Sequence, residues 1–223
     1  MKAMILAAGR GERLRPLTER LPKPLVEAGG HTLLDWHLQR LARAGYREAV
    51  INVSHLGEQI VSHVGEGARY GLRIAWSREA EPLETAGGLA QARPLLGEAP
   101  FLLVNSDIYC EFDFSPLRKL ALGANLAHIV LVPNPLHHPE GDFTLEAGTV
   151  GNGTAPRYTY AGIAVVSPSL VAGVNPGDKA PLGPLLRKAA GEGRLAGELY
   201  GGLWTDVGTM ARLDELRTLL ASR

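Results

Sequence analysis

One cysteine, Cys110, stands in a chain of 223 residues, so no internal disulfide is possible. Neither a C-x-x-C pair nor a Cys/His spacing suited to zinc is present. No apolar run approaches the ~20 residues of a membrane span, and the N-terminal run is too short for the core of a signal peptide. Net charge is absent too, with 23 basic residues against 23 acidic ones. No Gly/Ser linker, internal repeat or low-complexity stretch divides the chain. These absences exclude a disulfide scaffold, a zinc module, a helical membrane protein and a solenoid. What remains has 45% hydrophobic and 21% charged residues, ordinary globular values. The expectation is one domain over residues 1–223, cytoplasmic, monomeric or weakly oligomeric, with no nucleic-acid partner and no membrane.

The neutral total hides a local imbalance. A short apolar strand, Ala3 to Ala8, runs into Gly9-Arg10-Gly11-Glu12-Arg13-Leu14-Arg15-Pro16-Leu17-Thr18 and then Pro22-Lys23-Pro24-Leu25. Lys2, Arg10, Arg13, Arg15, Arg20 and Lys23 face only Glu12 and Glu19 there, a local excess of four positive charges. Two glycines let backbone N–H groups turn inward as an anion cradle. Cations gathered around such a cradle suit a polyphosphate. Two common phosphate loops do not fit. The dinucleotide fingerprint requires a third glycine where Leu14 stands, and a P-loop requires Gly-Lys-Ser/Thr where Gly11 is followed by Glu12 and Arg13.

Along the chain, strands and helices alternate. Strands are expected over 2–7, 48–53, 72–76, 101–104, 126–132 and 158–166. Helices are expected from Thr32 to Gly45, over 58–64, 85–96 and 210–220. Thr32 with Asp35 forms a capping box, and Leu34, Leu38 and Leu41 supply an apolar face. Thr85 is a candidate cap for its helix and Asp206 for the last one. The Gly-rich 148–153 segment reads as a hairpin turn. Phe101-Leu102-Leu103-Val104 is a continuous apolar run, the mark of a sheet buried on both faces. The fold class is therefore α/β, with a doubly wound, mostly parallel sheet whose ligands bind beyond the carboxyl ends of the strands. The glycine loop lies at that rim.

Asp107 follows the buried strand at the same rim, and Asp206 lies where a short apolar strand meets the last helix. Two carboxylates beside a polyphosphate are what Mg²⁺ prefers. Glu81-Pro82-Leu83-Glu84-Thr85-Ala86-Gly87-Gly88 opens a helix with glycines, whose N–H groups can meet base carbonyls, while Glu81 can accept from a ring N–H. Uracil and guanine both offer such a donor, so Glu81 leaves the base open.

Taken together, G-x-G-x-R-L-R-P-L-T with P-K-P-L, Asn105-Ser106-Asp107, Trp204-Thr205-Asp206-Val207-Gly208 and the 81–88 segment resemble the signatures of the sugar-1-phosphate nucleotidyltransferases. The family usually has glycine at the place of Ser106. The resemblance implies a Rossmann-like nucleotidyltransferase fold, here without the C-terminal β-helix of some relatives. It implies nucleotide contacts at Gly9, Gly11, Glu12, Arg13, Lys23, Glu81, Thr85 and Gly88, with Arg13 and Lys23 catalytic. It further implies Mg²⁺ at Asp107 and Asp206, and sugar-phosphate contacts at Asn105, Asp142, Asn152 and Gly162. Within the family the chain is similar to the short branch that serves bacterial cell-wall recycling. That similarity implies UTP as donor and, as acceptor, a sugar 1-phosphate carrying a lactyl carboxylate. His138, Arg157 and Lys179 are the candidate cations for that carboxylate. A guanylyl or cytidylyl transferase built from the same parts, and a non-catalytic nucleotide sensor, are the rival readings.

Other residues read as structure. His137-His138 lacks a third ligand spaced for zinc. His37 and His63 lie within helices as packing or surface residues. Cys110 has no histidine partner indicated for nucleophilic chemistry.

Overall fold

The computed structural model describes residues 1–154 and 156–222. Its strands are β1 (Ala3–Leu6), β2 (Glu27–Ala28), β3 (His31–Thr32), β4 (Glu48–Val53), β5 (Arg73–Arg78), β6 (Phe101–Asn105) and β7 (Ile108–Cys110), then β8 (Ala127–Val132), β9 (Phe143–Glu146), β10 (Thr149–Gly151), β11 (Arg157–Val166), β12 (Leu195–Leu199) and β13 (Trp204–Asp206). Its helices are α1 (Leu33–Arg43), α2 (Gly57–Val64), α3 (Glu84–Leu96), α4 (Leu182–Gly191) and α5 (Met210–Ala221). None is long and apolar enough to cross a membrane among the described residues.

Nine strands form one sheet in the order β5-β4-β1-β6-β11-β8-β12-β10-β9. The first four are parallel, each reached through a crossover as a βαβ unit requires. From β11 onward the sheet is mixed: β11 runs antiparallel to β6 and β8, while β12 runs parallel to β8. Strand β11 also pairs with β9, so the last five strands close on one another. The sheet expected to be mostly parallel is thus parallel through its first four strands and mixed in the rest, where β8 and β12 alone pair parallel among the described residues.

Both faces are covered. Ala3 and Ile5 point into one core with Leu34, Leu38, Leu41 and Ile60 from α1 and α2. Met4 points the other way, into a core with Leu89 and Leu96 of α3 and Leu186 of α4. That arrangement explains why β1 and β6 read as unbroken apolar runs. A third cluster seats α5, through Leu213 and Leu216, on Tyr109 and Val207.

The helix starts follow local chemistry with two revisions. Thr32 and Asp35 form the reciprocal capping box at 3.0 and 3.1 Å. Thr209, not Asp206, caps α5, accepting from the Arg212 N–H. Thr85 does not cap α3: it lies inside the helix, and the N–H groups of Ala86 and Gly87 are taken by the Ala180 carbonyl instead. The hairpin turn falls at Ala147 and Gly148, both at positive φ (46° and 82°), so that Thr149–Gly151 is strand rather than turn.

Candidate active site

The carboxyl ends of β1 and β6 open into a cavity of about 850 Å³. Its wall is the glycine loop Gly9–Leu14, Lys23, the 81–85 segment and Asn105-Ser106-Asp107. The loop is shaped by Gly11, whose φ of +63° is a left-handed conformation. A Cβ there would lie 2.9 Å from the Thr18 methyl and 3.1 Å from Lys23 Cβ. The Thr18 hydroxyl donates to the Gly11 carbonyl at 2.8 Å, which ties the end of the motif to its turn. Arg13 extends into the cavity, exposed, with no ion pair or side-chain hydrogen bond among the described residues. An unengaged guanidinium on the wall of a cavity is suited to receive an anion.

Beneath the loop, Lys23 Nζ donates to Asp107 Oδ2 at 2.6 Å. The lysine side chain is 11% exposed and the aspartate 35%. β7 and β13 pair antiparallel, opposing Asp206 to Ile108, and the Val207 N–H donates to the Asp107 carbonyl at 2.7 Å. This two-stranded ribbon makes neighbours of residues 99 positions apart. Asp206 accepts from Arg212 Nη1 at 2.7 Å and lies 2.9 Å from His137 Nε2. Asp107 lines the cavity and Asp206, on the neighbouring strand, lies behind Gly208 of the wall, so the two can offer hard oxygen donors although no cluster of three or more His, Cys, Asp or Glu ligands is present among the described residues. Such a set fits Mg²⁺, which completes its shell with water and phosphate oxygens. Ser106 is 5% exposed and its N–H donates to the Leu6 carbonyl, so the extra side chain is accommodated at the cavity edge.

Glu81 stands at the mouth, its carboxylate paired across to Arg10 at 2.7 Å. Gly88 lies behind the wall rather than in it. A Cβ there would meet Glu79 Oε1 at 2.8 Å and Asn52 Nδ2 at 2.9 Å. Those two residues are the part of the site that sequence reading missed. Asn52 accepts from the Ala7 N–H at 2.8 Å and donates to Glu79 at 2.6 Å, and Glu79 accepts from the Leu83 N–H at 2.9 Å. Both are buried, and burial holds the Glu79 carboxyl above the usual range. The network bolts the glycine loop to the 81–85 segment through the cavity floor. Its one signal was Asn52, a polar residue inside the apolar run Ala49–Val53.

Of the sugar-side residues, Asn105 lines the cavity and packs on Gly162, where φ is +76° and a Cβ would lie 2.8 Å from the Asn105 amide nitrogen. Asp142 sits off the wall, accepting from the Tyr160 N–H at 2.9 Å. Asn152 is remote from the cavity, its amide donating to the Arg187 carbonyl at 2.8 Å. Ala155, in the same segment, lies outside the described residues. Cys110 is buried and its thiol is pushed up to about 11, which keeps it protonated.

The fold and this cavity define a nucleotide-transferring enzyme, and comparison with known proteins agrees. Residues 2–142 match the family model "Nucleotidyl transferase", and the chain belongs to that family. It is 47% identical to the N-acetylmuramate alpha-1-phosphate uridylyltransferase of Neisseria meningitidis serogroup B, over 98% of each chain. Identity is 34% to the protein of the same name from Caulobacter vibrioides, over 92% of this chain and 91% of that one. A putative glucose-1-phosphate thymidylyltransferase from Bacillus anthracis has the same fold, with a TM-score of 0.85 at 20% identity, covering 100% of this chain and 96% of its own.

Proposed function

We propose that the enzyme transfers a uridylyl group from UTP to N-acetylmuramate α-1-phosphate, giving UDP-N-acetylmuramate and pyrophosphate, as a cytoplasmic step of peptidoglycan recycling. The observation that carries this reading is the full-length 47% identity to a uridylyltransferase of that specificity. The cavity's chemistry supports it: an unengaged Arg13, a shielded Lys23 and Asp107 on the wall, with Asp206 on the adjoining ribbon. All of these residues come from one chain, so a monomer or weak oligomer suffices.

The second pKa of a phosphate monoester is ~6, so the attacking oxygen is already ionised at neutral pH. It attacks the α-phosphorus in line, the new P–O bond forms, and the bond to the β-phosphate breaks with release of pyrophosphate. No general base is needed, and the enzyme's work is to hold two anions together and stabilise the departing charge. Arg13 and the loop N–H groups hold the β- and γ-phosphates. Lys23 bridges the acceptor phosphate and the α-phosphate, while Asp107 and Asp206 hold Mg²⁺. Bound Mg²⁺ neutralises charge on the triphosphate and the leaving pyrophosphate. The test is pyrophosphate release with each common nucleoside triphosphate against a panel of sugar 1-phosphates. Clear preference for GTP with mannose 1-phosphate, or no turnover with any pair, refutes the reading.

A further inference from the structure

The cations expected to meet an acceptor carboxylate face Asp142 or stand at the far end of the cavity from Gly208. His138 Nε2 lies 3.2 Å from Asp142 Oδ1, and Arg157 donates to the Asp142 carbonyl at 2.6 Å. Lys179 stands by the 81–85 segment, 3.9 Å from Glu84, at the base end of the cavity. A different pair, Arg212 and His137, lies behind the cavity wall at Gly208. Arg212 Nη1 reaches both Asp206 oxygens at 2.7 Å and touches the His137 ring. The Arg212 side chain is only 12% exposed. It lies directly behind Gly208 of the cavity wall, where any side chain would strike the guanidinium.

Asp206 is the main counter-charge of this nearly buried cation. A carboxylate that shares its charge with a divalent ion no longer compensates the guanidinium behind it. A buried charge left without its partner is strongly destabilising. An anion arriving from the acceptor side relieves that imbalance, and Arg is the residue best shaped to take a carboxylate. N-acetylmuramate differs from N-acetylglucosamine by a lactyl ether bearing a carboxylate.

We propose that Arg212, with His137 beside it, binds the carboxylate of an acidic acceptor sugar and sets the preference for it over the neutral sugar. The inference rests on the function proposed above and names the residues that read that substrate.

The experiment compares kcat/KM for N-acetylmuramate α-1-phosphate and N-acetylglucosamine 1-phosphate, with UTP, in wild type, Arg212→Met, Arg212→Lys, His137→Gln and Lys179→Met. The muramyl preference should fall at least ~10-fold in Arg212→Met, chiefly through KM for the muramyl substrate. Arg212→Lys should restore part of the preference, His137→Gln should weaken it, and Lys179→Met should leave it unchanged. If Arg212 merely positions Asp206, both sugars lose rate equally and the ratio survives, which overturns the inference alone. Should Arg212→Met not fold, the same ratio in Arg212→Lys and His137→Gln decides, a wild-type value in both overturning the inference. Absence of any preference in the wild type overturns the proposed function, and the inference with it.

Discussion

His37 offers a quantitative test of how α1 is packed beneath the site. It is 1% exposed, and neither ring nitrogen meets a partner at hydrogen-bond geometry among the described residues. Burial, helped by the Arg40 charge, lowers its pKa from 6.5 to about 4; the nearby Ile108 backbone and Asp107 carboxylate favour the charged ring, but less than burial disfavours it. Between those two values the unfolded chain holds a proton that the folded protein refuses. Stability therefore falls as pH drops from about 6.5 to about 4, and the loss is complete below the lower value. Each pH unit in that window is worth roughly 1 kcal/mol or a little more, so the loss attributable to His37 is on the order of 2–3 kcal/mol by about pH 4.5.

Urea unfolding followed by tryptophan fluorescence at about pH 7 and about pH 4.5 measures this, in wild type and in His37→Leu. Leucine keeps the site apolar and removes two unpartnered nitrogens, so the variant should be nearly as stable as wild type at neutral pH. On acidification it should lose on the order of 2–3 kcal/mol less. Other titrating groups, such as Glu79, act alike in both proteins and cancel in the difference. Parallel pH dependences would refute the reasoning, because they require His37 to titrate equally in the folded and unfolded chains.

Lys23→Met should cut kcat by two to three orders of magnitude, ~3–4 kcal/mol of barrier, with little change in thermal midpoint because Asp107 stays partly solvated; near-normal initial rates would remove Lys23 from the reaction. Asp107→Asn and Asp206→Asn should each abolish metal-dependent turnover, and wild-type activity that persists in EDTA would sink the metal assignment for both. Gly11→Ala forces a side chain into a left-handed conformation against Thr18 and Lys23, so it should cost ~1–2 kcal/mol of stability and raise KM for the nucleotide, read by thermal shift and initial rates; an unchanged KM would mean the loop does not hold the phosphates.

The nucleotide half was legible because its signals are local. Thr32 and Asp35 lie three residues apart and cap the helix they announce, and Leu34, Leu38 and Leu41 recur at helical spacing on its buried face. β1 and residues 101–104 of β6 are apolar because helices cover both faces of the sheet, and the glycine loop follows β1 in sequence as it does in space. The glycine loop, Lys23, Glu81 and Asp107 accordingly meet in one cavity, as their residue types suggested.

The second half was opaque because its elements are fixed by distant partners. β12 is Leu195-Ala196-Gly197-Glu198-Leu199, with no strand-like alternation, and it exists through parallel pairing with β8 and a contact with β10. Gly197 is required there because a Cβ would lie 2.6 Å from Val150 and 2.7 Å from the Ile129 carbonyl. α4 carries Gly183 and Pro184 in its first turn and reads as a loop until Leu182, Leu186 and Ala189 are seen buried against the sheet. Asp206 looked like a helix cap because a cap is a local role, whereas its actual neighbours, Ile108 across the ribbon and His137 from the segment between β8 and β9, are set by topology. The same holds for Arg212. Six residues beyond Asp206, on an otherwise ordinary surface helix, it acquires a meaning only when α5 docks and turns its guanidinium behind Gly208. The glycine loop is contiguous in sequence, whereas His137 and Arg212 meet only because a loop between β8 and β9 and the helix α5 converge on Asp206.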